Sequence, residues 1–233
     1  ESFGLQVLVG QSCYEKMGYL SGSDELRVTE LNGMFANPQV NGIVCLRGGY
    51  GTPRILDRLD YDVIRRHPKV FVGFSDITAV HTAIQNNAGL ITFHGPMGAL
   101  MAGDFGEYSR KFWSDMLFGE IEAGPLFNPL EEELIGYQGG VARGLLCGGN
   151  LSLIADTMGT PYEINCKDKI LFIEEIDEEP YQIDRMLTQL RLAGKLSEAA
   201  GIILGDFADC SAKDPSSSLT LEEVLQGILP KDK

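Results

Sequence analysis

The sequence is short of basic side chains. Lys and Arg together number 19 against 33 Asp and Glu, a formal net charge of −14. Gripping a nucleic-acid backbone takes clustered cations, and docking on anionic lipid takes a basic patch, so this balance argues against both partners. The acidic excess reads as a solubilising surface. Five cysteines stand at 13, 45, 147, 166 and 210 with no C-x-x-C pair, so neither a zinc ribbon nor a redox pair is expected. Cys45 and Cys147 lie in apolar runs and read as core thiols, which fits a reducing compartment. No long uninterrupted apolar segment and no signal peptide occurs, so no membrane span is expected. With three histidines and no ligand spacing, no metal or cofactor is expected either.

What is present suits a soluble α/β protein. The 233 residues are 44% hydrophobic, enough to bury a sizeable core. Leu5–Val9, GIVCL at 42–46, KVFVGF at 69–74 and Leu90–Phe93 read as short strands. Between them lie helical patterns at 24–35, capped by Ser23 or Asp24, at 53–59, with Thr52 as cap and Pro53 first, and from Asp76 to about Asn87, stopped by Gly89. This alternation predicts an N-terminal open, mostly parallel sheet with flanking helices. A further helix with Trp113 is expected over 105–118. Residues 1–118 form the expected first lobe and 119–140, rich in Gly, Pro and Glu, the linker. Residues 141–233 form a second lobe, α/β or β-rich. Its expected elements are an Asn150-capped helix, strands KILFI (169–173) and GIILG (201–205), a periodic helix over 180–192 and a Thr220-capped helix over 221–229.

Three motifs could carry chemistry. Gly73-Phe74-Ser75-Asp76-Ile77 sets a serine between an apolar strand and a helix, as in a nucleophile elbow, with the Asp76 N–H aimed at a developing oxyanion. Ile77 replaces the usual second glycine, and the pattern taken alone fits a plain Ser N-cap better. Arg47-Gly48-Gly49-Tyr50-Gly51 follows a strand and fits equally a tight turn or a loop whose N–H groups approach a ligand; no G-K-[ST] makes it a P-loop. Glu174-Glu175 ends the strand KILFI and can orient a histidine or lie solvated among its acidic neighbours. His67 reads as surface. His81 lies six residues after Ser75, about 600° round the helix, and reads as packed or exposed rather than as its partner. His94 closes a strand and could approach the site.

The ordered set RGGYG, GFSDIT, HGPM, GGNL, IEE and YQIDRMLTQL resembles the L,D-carboxypeptidases, or muramoyltetrapeptide carboxypeptidases, over nearly the whole chain. The resemblance implies a metal-free Ser-Glu-His triad with Ser75 as nucleophile and Glu174, rather than Glu175, as the acid. It implies oxyanion donors at the N–H of Asp76 and of Gly48 or Gly49. Arg47 is then a candidate anchor for the substrate carboxylate, or a structural ion pair, and Tyr50 a candidate pocket wall. The implied substrate is a murein tetrapeptide, which loses its terminal D-alanine in the cytoplasm during cell-wall recycling; a homodimer is plausible by the same resemblance. The family's catalytic His lies beyond the region matched by GIILGDFADC, and here no His follows His94. The family's first strand and helix are also missing before Glu1, so the sequence reads as trimmed at both ends, with the triad His outside it. Two rival readings are a non-catalytic binder of murein peptides and a microcin-immunity-like peptidase acting on aminoacyl-nucleotide conjugates.

Overall fold

The structure, a computed structural model, describes residues 3–103, 105–119, 124, 125, 128 and 134–231. The chain forms two compact units, Glu1–Asp104 and Phe105–Lys233. Each is an α/β layer built on a parallel sheet of three strands among the described residues.

In the first unit the sheet runs β1 (Gly42–Val44), β2 (Val70–Gly73) and β3 (Phe93–His94), in that spatial order and all parallel. Helices α1 (Asp24–Ala36), α2 (Tyr61–Arg66), α3 (Thr78–Ala88) and α4 (Gly98–Met101) complete the unit. The N-cap of α1 is Ser23, whose hydroxyl accepts from the Leu26 N–H at 3.1 Å. Helix α3 ends where Gly89 takes φ 67, a left-handed cap open to glycine at little cost. The central strand β2 is buried, and α3 is buried along almost its whole length. Each fully buried side chain here, such as Phe35, Ile64, Phe71 or Ile84, contributes about 1.5–3 kcal/mol.

Three expectations change in this unit. Leu5–Val9 is not a strand: no described segment supplies a ladder partner, and Leu5, Val7, Leu8 and Val9 stand exposed. An apolar run becomes a strand only when a neighbour takes its N–H and C=O groups, and that neighbour is set by the tertiary fold. The helix expected over 53–59 is a 3-10 helix, Thr52–Arg58, with Gly51 rather than Thr52 as cap. The strand expected over 90–93 shrinks to Phe93–His94.

The second unit holds α5 (Glu107–Phe118), β4 (Leu146–Asn150), α6 (Leu151–Asp156), β5 (Ile170–Ile176), α7 (Pro180–Leu192), α8 (Lys195–Glu198), β6 (Gly201–Ala208) and α9 (Leu221–Ile228). The sheet order is β4-β5-β6, all parallel. Asn150 caps α6 by accepting from Leu153 N–H, and Thr220 forms a capping box with Glu223 at α9. One core joins Cys147, Leu171, Ile173, Ile183, Leu187 and Leu190. Of the linker expected over 119–140, residues 120–123, 126, 127 and 129–133 lie outside the described residues; the described remainder has neither helix nor strand. Sequence reading left out strand β4, as it did the short helices α2, α4 and α8. The Gly148-Gly149 pair of β4 looks like a loop, yet Gly148 sits at φ 123 where a Cβ would lie 1.8 Å from the Phe172 carbonyl oxygen. Glycine is therefore a packing requirement of the β4–β5 pair. Gly148→Ala is expected to cost more than about 3 kcal/mol, read as loss of the thermal transition or of soluble protein.

Candidate active site

Strand β2 delivers Ser75. The strand ends at Gly73, Phe74 is fully extended, and Ser75 turns at φ 61 into a 3-10 turn, Ser75–Ile77, that continues as α3. The other non-glycine residues with positive φ among those described are Asp168, Asp177 and Asp209. Aspartate tolerates left-handed backbone through its short polar side chain, whereas at serine the conformation costs on the order of 1 kcal/mol or more and needs a surrounding that enforces it. A plain N-cap has extended backbone at φ near −70, as Ser23 does in α1. Ser75 has left-handed backbone instead, at φ 61.

The surroundings enforce the turn from several sides. A Cβ on Gly73 would lie 2.8 Å from Ile77 Cγ2, so only glycine lets the chain fold back this tightly. The Gly73 carbonyl accepts from the Gly95 N–H at 3.0 Å and from His81 Nε2 at 2.9 Å. That bond fixes the proton of His81 on Nε2. Its buried Nδ1 has no partner among the described residues. Burial pushes the His81 pKa down to about 4, so the ring is neutral near pH 7. His81 packs edge-on against Phe71 and serves the turn rather than the Ser75 hydroxyl.

The Arg47–Gly51 loop meets this turn. A Cβ on Gly48 would lie 3.0 Å from Ser75 Cβ, 3.2 Å from Ser75 Oγ and 3.3 Å from the Asp76 N. Gly48 thus approaches the serine as closely as backbone can. Gly49 and Gly51 adopt φ 112 and 120. Asp76 is buried, and its Oδ2 accepts from the Thr52 N–H at 2.9 Å. Burial raises the Asp76 pKa, while bonds from Thr52 and Gly51 oppose the shift. The structure therefore brings together Ser75, Asp76 and Gly48. Arg47 is exposed and makes no ion pair with any described residue. Tyr50 is exposed too, its ring edge-on to Tyr19 at 5.4 Å. His67 and His94 are exposed, His94 with its ring 5.9 Å from that of Phe74.

In the second unit the paired acids of β5 point to opposite faces. Glu175 faces the helices with Leu171 and Ile173 and is 3% exposed. Its Oε1 accepts from Asn150 Nδ2 at 2.7 Å and Ile176 N–H at 2.9 Å, and its Oε2 from Ser152 N–H at 2.8 Å and Ser152 Oγ at 2.7 Å. Every lone-pair position is occupied, which makes Glu175 the anchor between β5 and the start of α6. Sequence reading missed this network, although the Asn150 cap was its visible end. Glu174 lies on the other face, at a register shift between β5 and β6, with Gly205 leaving room beside it. Burial, then the nearby charge of Glu175, pushes its pKa up to about 7. Among the described residues no group of three or more His, Cys, Asp or Glu could hold a metal ion.

With this geometry in hand, comparison with known proteins is direct. Residues 1–95 match the model of the LD-carboxypeptidase N-terminal domain, and residues 143–232 that of the LD-carboxypeptidase C-terminal domain. A probable murein peptide carboxypeptidase of Bacillus subtilis is 48% identical over 232 residues, covering 98% of this chain and 72% of that protein. The chain belongs to the LD-carboxypeptidase family. Among solved structures, the muramoyltetrapeptide carboxypeptidase from Oxalobacter formigenes is 28% identical with a TM-score of 0.80 over 97% of this chain and 75% of that one. The microcin self immunity protein MccF, in its wild-type apo state, is 25% identical with a TM-score of 0.80, covering 94% of this chain and 74% of that one. The chain is thus a peptidase by family, and each of its units is an α/β layer on a parallel sheet. None of its described helices is long and apolar enough to cross a membrane.

The raised pKa of Glu174 has a stability consequence. A carboxyl whose folded pKa lies above its unfolded value binds more protons folded than unfolded in that interval. Stability from this group is therefore present below about pH 4.5 and lost as pH rises through about 7. Glu174→Gln is expected to raise stability at pH 8 by on the order of 1 kcal/mol after solvent screening, and to leave it unchanged at pH 4. Thermal melts of both proteins at the two pH values check this.

Proposed function

We propose that this chain carries the nucleophile and the triad acid of a serine peptidase that removes the terminal D-alanine from murein tetrapeptides, cutting an L,D-peptide bond in cytoplasmic cell-wall recycling. The observation that carries the reading is Ser75, held in left-handed backbone at the carboxyl end of β2 with Gly48 against its hydroxyl. The substrate class is supported by 48% identity to the probable murein peptide carboxypeptidase, against 25% to MccF.

In this mechanism Ser75 Oγ attacks the carbonyl carbon of the L-centred residue. Its proton passes to a histidine base and then to the departing amine of D-alanine. Water, activated by the same base, hydrolyses the acyl-enzyme and frees Ser75. The N–H of Asp76 and one from Gly48 or Gly49 bind the oxyanion. Arg47, without an ion partner among the described residues, grips the substrate carboxylate, and Tyr50 lines the pocket. Glu174 orients the base; a cationic imidazole beside it stabilises its ionised form against burial. On this reading Ser75 belongs to the first unit and Glu174 to the second.

None of the three histidines stands where the family's base does. His67 lies in an exposed turn, His81 is held by the Gly73 carbonyl, and His94 is exposed at a strand end. Imidazole added to the buffer has a pKa suited to proton transfer near neutrality and can stand in for that base. Incubation with a murein tetrapeptide in imidazole buffer is expected to release D-alanine, read by mass spectrometry. Ser75→Ala should abolish the imidazole-dependent release. Undiminished release from that variant would remove Ser75 from the mechanism. Glu174→Gln should lower turnover with the fold intact, whereas Glu175→Gln should mainly destabilise the second unit. The reverse pattern would exchange the roles of the two acids.

A further inference from the structure

The Arg47–Gly51 loop has little of its own to hold it. Gly48, Gly49 and Gly51 bring backbone freedom, with φ 112 at Gly49 and 120 at Gly51. An N–H that serves an oxyanion has to be placed before the reaction, since a misplacement of about 1 Å costs on the order of 100-fold in rate. The structure shows one residue touching the loop at both ends, and it is Asp76. At the near end the Asp76 N faces Gly48, whose added Cβ would lie 3.3 Å away. At the far end two bonds join Asp76 to Thr52. The Thr52 N–H donates to Asp76 Oδ2 at 2.9 Å, and the Thr52 hydroxyl donates to the Asp76 main-chain oxygen. Thr52 is 8% exposed and Asp76 4%, so water does not compete for these bonds. Arg27 adds one outer support, donating to the Gly51 carbonyl at 3.0 Å.

We propose that Thr52 and the Asp76 side chain form a clasp that holds the glycine-rich loop against the Ser75 turn, which makes Thr52 a positioning residue for the oxyanion donors. The inference rests on the reading of Ser75 as nucleophile. Its chemistry is specific. Thr52 sits at the first position of a 3-10 helix, where a hydroxyl commonly serves its own helix. Here no side chain caps the helix, and the hydroxyl crosses to the residue after the nucleophile. Asp76 then acts twice, through its N–H toward the oxyanion and through its carboxylate and carbonyl toward the loop. A carboxylate buried for core stability alone would be replaced by an apolar side chain without loss; this one is tied to the loop that carries the second donor.

The test is steady-state release of D-alanine from a murein tetrapeptide by the 233-residue chain in imidazole buffer, with thermal melts alongside. Thr52→Val keeps the shape and the N–H bond but removes the hydroxyl bond. It is expected to lower kcat about tenfold with KM within about twofold, because the donor is misplaced for the transition state and not for the ground state. Thr52→Ser restores the hydroxyl and should recover most of kcat, which a role in packing the methyl group alone would not do. Thr52→Ala repeats the loss without a second methyl, should Thr52→Val fail to fold. Wild-type kcat in folded Thr52→Val or Thr52→Ala, with Ser75→Ala inactive, overturns the clasp alone. Release that survives Ser75→Ala overturns the nucleophile reading and the clasp with it.

Discussion

The first unit is organised around one strained residue. Ser75 occupies left-handed backbone, a conformation that its own side chain disfavours. Such a turn persists only when its neighbours over-determine it, and four groups do so. Gly73 leaves space for Ile77, His81 and the Gly95 N–H grip the Gly73 carbonyl, and Thr52 binds Asp76. The strand before the turn is the central one of its sheet, and the helix after it is buried on nearly all sides. The core therefore supplies the rigidity, and the turn converts it into an exact direction for one hydroxyl. This is the general logic of sites at the carboxyl ends of parallel strands, where the sheet is stiff and the loops are free to vary.

The second unit solves a related problem with the period of a strand. Successive side chains of β5 alternate between faces, so adjacent glutamates have opposite fates. Glu175 enters the helix-covered face and is satisfied by Asn150, Ser152 and the Ile176 N–H. Glu174 stays on the other face, where burial and its neighbour's charge work against ionisation. One acid anchors the strand, and its charge adds to the burial that makes the other one costly to ionise. The register shift to β6 falls at the same residue, as irregularities in a ladder commonly do beside functional groups.

Glycine carries much of the close packing on which both sites depend. Gly48 admits the loop to Ser75, Gly73 admits the tight return of the chain, and Gly148 admits the Phe172 carbonyl. Each forfeits backbone entropy in exchange for an approach that no side chain permits. The stability of the fold and the reach of the site are thus drawn from the same positions, which ties tolerance of mutation closely to activity.

Local signals carried much of the fold on their own. The caps at Ser23, Asn150 and Thr220, the stop at Gly89 and the periodicity of α7 depend on neighbours within one or two turns, so they are legible in the residues themselves. The alternation of strands and helices likewise implied the parallel sheet of the first unit, and the ordered motifs implied the family. Pairing and faces were another matter. Leu5–Val9 has the composition of a strand and no described partner, while Leu146–Asn150 has the composition of a turn and a full one. The left-handed turn at Ser75, the crossing of the Thr52 hydroxyl to Asp76 and the separate environments of Glu174 and Glu175 all arise from groups about 25 residues or more apart in sequence, or from the packing that surrounds them. Such contacts have no local signature, because a residue's own neighbours in the chain say which conformations are cheap, and only the folded core says which costly one is enforced.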